Sequence, residues 1–224
     1  MRVIEWQLQL AVNKISDWCD QNGHTFSPSK SCCIHVCRKP ALHNDPDISD
    51  QNINVPVVPH TKFLVVIFDN KLTFIPHIRL LRKQCEQKLN ILRVLCNTFW
   101  GADRLALLRI YQALILSRFD NACAVYGSAT SSNLRILDTV HHSTLRICSE
   151  AFRTSAVESL YVVCNQVPLD LHRMKLSLSY YFHILSSRYH LLKNYVISSS
   201  LERLYADRSS YIRPFHARMR SLKL

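Results

Sequence analysis

The chain has 224 residues, 48% of them hydrophobic and 20% charged, so it can bury a core and is not disordered throughout. It contains only three glycines, which argues against a sandwich or barrel, because those folds need many tight turns. The formal net charge is +12, and a polyanion is therefore the expected partner.

The first predicted element is an amphipathic helix. Apolar residues recur at helical spacing over 5–22, and Gly23 follows at a position where helix C-termini favour glycine. The later stretch 40–60 holds four of the eight prolines together with several Asn and Asp residues. It predicts a loop with room for one edge strand.

Two stretches predict β-strands. Residues 32–37 form a short candidate, and residues 62–68 give the strongest strand signal in the chain. The second run is rich in β-branched and aromatic side chains, and Asp69 and Asn70 close it as a turn. A small β portion is therefore expected beside the N-terminal helix.

From residue 75 onward the pattern is helical, and the helix over 75–99 has two distinct sides. One side is apolar, whereas the opposite side is mainly basic. The residues of that opposite side are Arg79, Arg82, Lys83, Glu86, Asn90, Arg93 and Asn97. Residues 71–120 hold nine Lys or Arg against three Asp or Glu, so much of the excess charge lies on or near this helix. The face is interpreted either as a solvated helix surface or as a contact for nucleic acid, and its clustering favours the second.

Further helices are predicted downstream at 103–117, 132–150, 156–165 and 168–187. Asp103 is a suitable N-cap for the first of them, and Ser155 with Glu158 has the spacing of a capping box. Residues 188–224 hold eight Lys or Arg against two Asp or Glu and are weakly periodic. They are predicted to form a basic, loosely ordered tail.

Nine cysteines, an odd number, lie mostly in apolar segments, which favours reduced thiols in the cytoplasm or nucleus. Cys33, His35 and Cys37 would share one face of a strand and suggest zinc binding. Structural zinc sites usually combine two separate ligand pairs, so buried thiols are the preferred interpretation and no metal site is predicted. No uncharged run is long enough for a membrane span, and the N-terminus has no signal-peptide pattern, so secretion is not expected.

Three stretches together resemble the reverse transcriptases of jockey-like non-LTR retrotransposons. The first is ISDWCDQNG at 15–23, followed by FSPSKS at 26–31. The second is KFLVVIFDNKLTF at 62–74, followed by His77 and Ile78. The third comprises WGADR at 100–104, YGSA at 126–129, LDTVHH at 137–142 and AFRTSAVESL at 151–160. Each motif is weak alone, but their order and spacing cover most of the chain.

The resemblance implies a mainly α fold with a small β portion, consisting of a partial polymerase palm over 1–73 and a helical thumb with downstream helices over 74–187. It implies that the parent enzyme makes DNA on an RNA template from a DNA primer with Mg²⁺. Lys30 matches a lysine that neutralises the leaving pyrophosphate in such enzymes. The predicted nucleic-acid contacts are Lys62, Phe63 and Leu64 in the primer grip, and Arg79, Arg82, Lys83 and Arg93 in the thumb.

Departures from the family pattern limit the expected activity. The sequence has no Asp-Asp pair, whereas two-metal phosphoryl transfer needs clustered carboxylates. Val65 stands where the family has glycine, and Phe74 stands where it has tryptophan. The chain is therefore interpreted as an inactive fragment that at most grips a primer–template duplex. The alternative is a non-catalytic helical adaptor derived from a decayed element.

Overall fold

The computed structural model describes residues 2–25, 27, 30–37, 44–50, 53–96, 101–193, 198, 203, 212 and 214–222. The described residues are mainly helical with two small antiparallel sheets, which confirms the predicted mainly α fold with a small β portion. The chain divides into two compact units, Met1–Phe74 and Ile75–Leu224, termed unit 1 and unit 2. No described helix is both long enough and apolar enough to cross a membrane.

Unit 1 begins with helix α1, Arg2–Gln21, which ends near Gly23 as predicted. Gly23 has a φ of 70°, the left-handed conformation that favours glycine after a helix. Within the unit, the Gln9 side-chain amide makes two hydrogen bonds with the Ser49 backbone. Its Nε2 donates to the Ser49 carbonyl at 2.6 Å, and its Oε1 accepts from the Ser49 N–H at 2.9 Å. The large exposed apolar side chains of α1 include Val3, Ile4, Trp6, Ile15 and Trp18.

The strands of unit 1 are shorter than the sequence predicts. Strands β1 (Ser49–Asp50) and β2 (Ile53–Asn54) pair in antiparallel fashion within the predicted loop region. The strand predicted at 32–37 is wrong as a regular element, because its described contribution is a single parallel bridge between Cys33 and Val57. Pro56, next to Val57, lacks the N–H that would extend such a ladder on one side.

The run at 62–68 is a hairpin, so the prediction of one continuous strand is wrong. Strand β3 (His60–Phe63) pairs with β4 (Val66–Asp69) in antiparallel register, with Phe63 opposite Val66. Leu64 and Val65 form the two-residue turn and have positive φ values of 51° and 114°. Positive φ at both central residues is typical of a type I′ hairpin turn, which normally uses Asn or Gly. Position 65 therefore has a turn conformation that favours glycine in this chain.

Val65→Gly is expected to stabilise unit 1 by about 1 kcal/mol, because a β-branched residue is strained at positive φ. The Val65 side chain is 56% exposed, so its removal sacrifices little packing. Hydrogen exchange of the β3 and β4 amides should slow in the variant. Leu64→Gly is the matched control and should gain less, because an unbranched residue is less strained at a φ of 51°. Faster exchange in Val65→Gly would contradict this account.

The turn after β4 is organised by one buried carboxylate. Asp69 Oδ2 accepts from the Thr73 N–H at 3.0 Å and from its hydroxyl at 2.9 Å, and Oδ1 accepts from the Phe74 N–H at 2.7 Å. Asp69 is 8% exposed, and Phe74 is 3% exposed with a φ of 57°. The carboxylate therefore satisfies backbone donors in a segment that forms no strand or helix of its own.

Unit 2 is a packed set of helices. Its helices of eight or more residues are α2 (Ile75–Leu95), α3 (Arg104–Tyr111), α6 (Ser131–Ser149), α7 (Val157–Cys164) and α8 (Leu169–Ser186). The short helices are α4 (Ser117–Asp120), α5 (Cys123–Tyr126) and α9 (Phe215–Arg220). The sequence predicts a plain helix to about residue 117, but a π-helical segment, Gln112–Leu116, connects α3 to α4.

Helices α2 and α6 form the centre of unit 2. The predicted apolar side of α2 is confirmed through Leu92, and the helix ends at Leu95. Its buried apolar residues are Ile78, Leu81, Cys85, Leu89 and Leu92. From α6, Leu137 and Leu145 are fully buried. Large-to-small changes at such positions typically cost about 2–5 kcal/mol.

Two predicted caps have different outcomes. Asp103 is the N-cap of α3, and its carboxylate accepts from the Ala106 N–H at 3.2 Å, as predicted. The capping box of Ser155 and Glu158 is not formed, because Ala156 occupies the N-cap of α7 and makes no side-chain cap. A one-residue shift of the helix start removes the spacing that a capping box requires.

Part of the predicted loose tail is packed. Helix α9 contacts α8, with the Phe215 and Tyr180 ring centroids 5.5 Å apart and those of His216 and Tyr181 5.2 Å apart. Arg218 Nη2 donates to the Ala124 carbonyl at 2.8 Å. The C-terminal charges of α9 are therefore attached to the folded unit.

Two adjacent histidines of α6 pair with tyrosines. His141 is 1% exposed, and its Nδ1 lies 2.6 Å from the Tyr111 hydroxyl. His142 is half-buried, and its Nε2 lies 2.7 Å from the Tyr161 hydroxyl. Burial, with smaller effects of nearby His142, His172 and Arg173, lowers the pKa of His141 to about 3. A neutral imidazole has one donor and one acceptor nitrogen, so the tautomer of His141 decides which group of this pair donates.

Candidate nucleic-acid interface

The basic residues of α2 lie on its exposed surface, next to its buried side rather than directly opposite it. A helix turns by about 100° per residue, so Arg79, Lys83 and Arg93 fall within about 80° of one another and begin roughly 40° from the buried Leu89. These three cations are exposed, and Arg82 is partly exposed beside them. The four cations assigned from the sequence to this face therefore form one row, here called the α2 basic row.

Glu86 interrupts the α2 basic row. Arg82 Nε donates to its carboxylate at 2.7 Å, and the two side chains are 43% and 47% exposed. An exposed pair at this spacing contributes about 0.3–0.5 kcal/mol, so it can open when a stronger anion approaches. Further along the row, Arg93 Nη1 donates to Asn90 Oδ1 at 2.9 Å. Glu86 lowers the local positive charge, and the Asn90 contact orients one cation.

The α2 basic row borders a groove of about 450 Å³ between α2 and α6. The α2 side is lined by Arg82, Lys83, Glu86, Gln87, Leu89, Asn90 and Arg93, and the α6 side by Thr139, Val140 and Ser143. The sequence does not indicate that these α6 residues belong to the groove, because only the packing of α6 on α2 brings them next to the α2 basic row. Thr139 and Ser143 donate their hydroxyls to carbonyls of their own helix, so their free lone pairs do not attract phosphate. Arg82, Lys83 and Arg93 are the cationic side chains of the groove lining.

In unit 1, three other predicted site residues lie around one cavity. Lys30, Lys62 and Phe63 line a mostly apolar cavity of about 560 Å³. Leu64 is 80% exposed at the tip of the β3–β4 turn. Lys62, Phe63 and Leu64 belong to the β3–β4 hairpin, and Lys30 lies in an earlier segment. The continuous strand that the sequence predicts for the primer grip is therefore not formed. Phe26 and Trp100, which belong to the resemblance, lie outside the described residues.

The Cys and His residues of unit 1 make hydrogen bonds away from one another. His35 Nδ1 lies 3.0 Å from Asp45 Oδ1, and Cys32 Sγ lies 3.2 Å from Thr61 Oγ1. Burial raises the pKa of the Cys33 thiol, which disfavours the thiolate that a metal requires. Among the residues described in both units, no three His, Cys, Asp or Glu side chains are placed to hold a metal ion. The Mg²⁺ ions of a polymerase site are held by clustered carboxylates, and the described residues contain no such cluster.

Buried thiols of unit 2 are protonated. Burial raises the pKa of Cys85 to about 11 and that of Cys148 to about 12. All nine cysteines are free. The thiols of Cys85 and Cys148 consequently act as small apolar groups in the core.

Comparison of the chain with protein-family models, curated proteins and solved structures gave no match. The resemblance to reverse transcriptases thus depends on the three motif stretches alone, and the interpretation of the α2 basic row as a nucleic-acid contact depends on the geometry of α2.

Proposed function

We propose that the chain is a piece of the reverse transcriptase of a jockey-like non-LTR retrotransposon, and that unit 2 contacts a primer–template duplex through the α2 basic row. The observation that carries the proposal is the position of this row, on the exposed surface of α2 next to its buried side and along an open groove. The apolar side fixes the helix in the core while the cations remain available to a phosphate backbone. The ordered motif stretches supply the connection to the polymerase family.

The expected binding is electrostatic and independent of sequence. Phosphate contacts by Lys and Arg carry no base information. The groove lining has no aromatic side chain on which bases could stack, so the sugar–phosphate backbone is the expected ligand. With three or four such contacts, the dissociation constant should be on the order of micromolar or weaker and should rise with salt.

The proposed role of this chain is gripping. Mg²⁺ would supply the phosphoryl-transfer chemistry in a complete polymerase, held by carboxylates that belong to a region before the matched stretches. The described residues have no such set, so Lys30 is proposed to act only in a complete palm. Lys62, Phe63 and Leu64 are proposed as secondary duplex contacts from the β3–β4 hairpin.

Arg79→Ala/Arg82→Ala/Lys83→Ala is expected to weaken duplex binding at least tenfold and to reduce the slope of log K against log salt by about 3. Fluorescence anisotropy with an RNA–DNA hybrid at several salt concentrations measures both quantities. The matched control, Arg109→Ala/Arg135→Ala/Arg153→Ala, removes three exposed cations elsewhere on unit 2. It should preserve most of the affinity.

The competing source of binding is the C-terminal basic segment. Removing everything after Ser187 would also remove buried Met219 of α9, so the cleaner variant is Arg188→Ala/Lys193→Ala/Arg203→Ala. If this variant loses binding while the α2 triple variant keeps the parental affinity and slope, the proposed interface is wrong.

A second candidate function is a non-catalytic helical adaptor. The observation in its favour is the amount of exposed apolar surface on α8 of unit 2, where Leu171, Met174 and Phe182 are each at least 40% exposed. A protein would cover such side chains, whereas a phosphate backbone would not. An adaptor should therefore bind no duplex even at low salt, and its association with protein should depend on α8.

A further inference from the structure

Helix α8 has a buried face and a separate apolar stripe. Its buried residues are Leu169, Arg173, Ser177, Tyr181 and Ile184, two of which are polar. About a third of a turn away lies a second set, termed the α8 stripe, which consists of Leu171, Met174, Leu178, Phe182 and Leu185. Leu178 is half-buried, and the other four side chains are between 36% and 56% exposed. A contiguous apolar stripe on one exposed helix face is typical of a surface that a partner covers.

The α8 stripe is symmetric about Leu178. Leu171 and Leu185 each lie seven residues from Leu178, and Met174 and Phe182 each lie four residues from it. Steps of three and four residues keep all five positions on one side of the helix. If two copies of α8 are related by a twofold axis beside Leu178, the helices run in opposite directions. Each apolar position of one stripe then faces an apolar position of the other.

We propose that the α8 stripe pairs with the same stripe of a second copy of this chain, in an antiparallel helix pair whose twofold axis passes beside Leu178. Leu171 then contacts Leu185 of the other copy, and Met174 contacts Phe182, a favourable thioether–aromatic pair. The two copies of Leu178 pack against each other at the crossing point. Antiparallel pairing also opposes the two helix dipoles.

The charges of α8 permit this pairing. Within 171–185, Lys175 is the only exposed residue with a formal charge, since Arg173 is buried. Lys175 lies three residues before Leu178, so its two copies would be separated by about 9 Å along the helix direction. Their repulsion in water is small at that distance, and a surface with one cation provides little attraction for a charged partner.

A second copy fits this stripe better than an unrelated partner, because the apolar positions match themselves under one twofold operation. Such an isologous contact closes as a dimer and leaves no unmatched end. The stripe spans 15 residues, about 22 Å of helix. One helix face is much smaller than the roughly 800 Å² per partner of a standard interface, so a weak dimer is expected, with a dissociation constant on the order of tens of micromolar. The dimer does not depend on the proposed nucleic-acid contact.

Sedimentation velocity of nuclease-treated protein between about 2 and 200 μM tests the proposal. The parent chain should shift from monomer towards dimer over this range, whereas Leu178→Glu should remain monomeric because it places two carboxylates together at the axis. Phe182→Glu should also remain monomeric, and its 56% exposure makes the change less costly to the monomer fold. Val162→Lys is the matched control, since Val162 is 80% exposed on α7 and lies outside the stripe. It should dimerise like the parent, and far-ultraviolet circular dichroism establishes that each variant keeps its helices.

A second measurement locates the axis. Under mild oxidation, Leu178→Cys should give an intermolecular disulfide between the two copies of residue 178, identified by mass spectrometry against the background of the nine native cysteines. Ser179→Cys, one position away and exposed, should give much less. A parent chain that stays monomeric to 200 μM, an equally dimeric Phe182→Glu, or cross-links that map away from α8 would each overturn the proposal.

Discussion

Lowering the pH from 7 to 4 should destabilise unit 2 by about 3 kcal/mol through His141 alone. Its pKa is about 3 in the folded chain, mainly because the imidazole is buried, against 6.5 when exposed. The unfolded state therefore binds a proton below pH 6.5 while the folded state does not. The contribution of His141 is complete above pH 6.5 and decreases continuously as the pH falls towards 3. Burial lowers the pKa of His77 as well, and this adds to the loss in the same direction.

Urea unfolding followed by circular dichroism at pH 7, 5.5 and 4 measures this dependence. In the double variant His141→Phe/Tyr111→Phe, both hydrogen-bonding partners become apolar, so neither is left buried and unpaired. The double variant should remain folded, and its stability should fall less steeply with decreasing pH. His183→Gln, at an exposed position of α8, should keep the parental pH dependence. An unchanged slope in the double variant would show that His141 is not the responsible group.

The longer helices of unit 2 were predictable because apolar residues recur at helical spacing along each of them. The spacing of Ile78, Leu81 and Leu89 both defines α2 and predicts which side is buried, and the exposed position of the cations follows from the same spacing. The π-helical segment was not predictable, because no residue in 112–116 signals a change of helical pattern. Helix existence is therefore encoded locally, whereas its internal deviations depend on packing.

The β portion and the groove show what the sequence does not specify locally. The run from Lys62 to Phe68 has uniform β propensity, and the turn inside it uses Leu64 and Val65 instead of Asn or Gly, so no residue marks the reversal. The α2 basic row was predicted, but Thr139 and Ser143 became part of the groove only through the packing of α6 on α2. The residue pattern of one segment does not show which distant segment packs against it.

Asp69→Ala should destabilise the β3–β4 hairpin and its following turn by about 3–4 kcal/mol. The change removes the acceptor of three hydrogen bonds, two from Thr73 and one from the Phe74 N–H. These donors lie in a buried or partly buried segment, and each buried donor that loses its acceptor costs about 1–3 kcal/mol. Leu72 and Phe74 have positive φ, so the carboxylate also stabilises a strained backbone.

Hydrogen exchange is the appropriate measurement, because it reports on residues 60–74 separately from unit 2. In Asp69→Ala, the amides of Phe74 and of the paired hairpin residues should exchange on the order of 100-fold faster or more. Asp69→Asn retains one acceptor oxygen and should have an intermediate effect. Asp17→Ala, which removes an exposed carboxylate of α1, should leave these amides unchanged. Parental exchange rates in Asp69→Ala would mean that the turn is held by other contacts, and the Asp69 carboxylate would then be available for a different role.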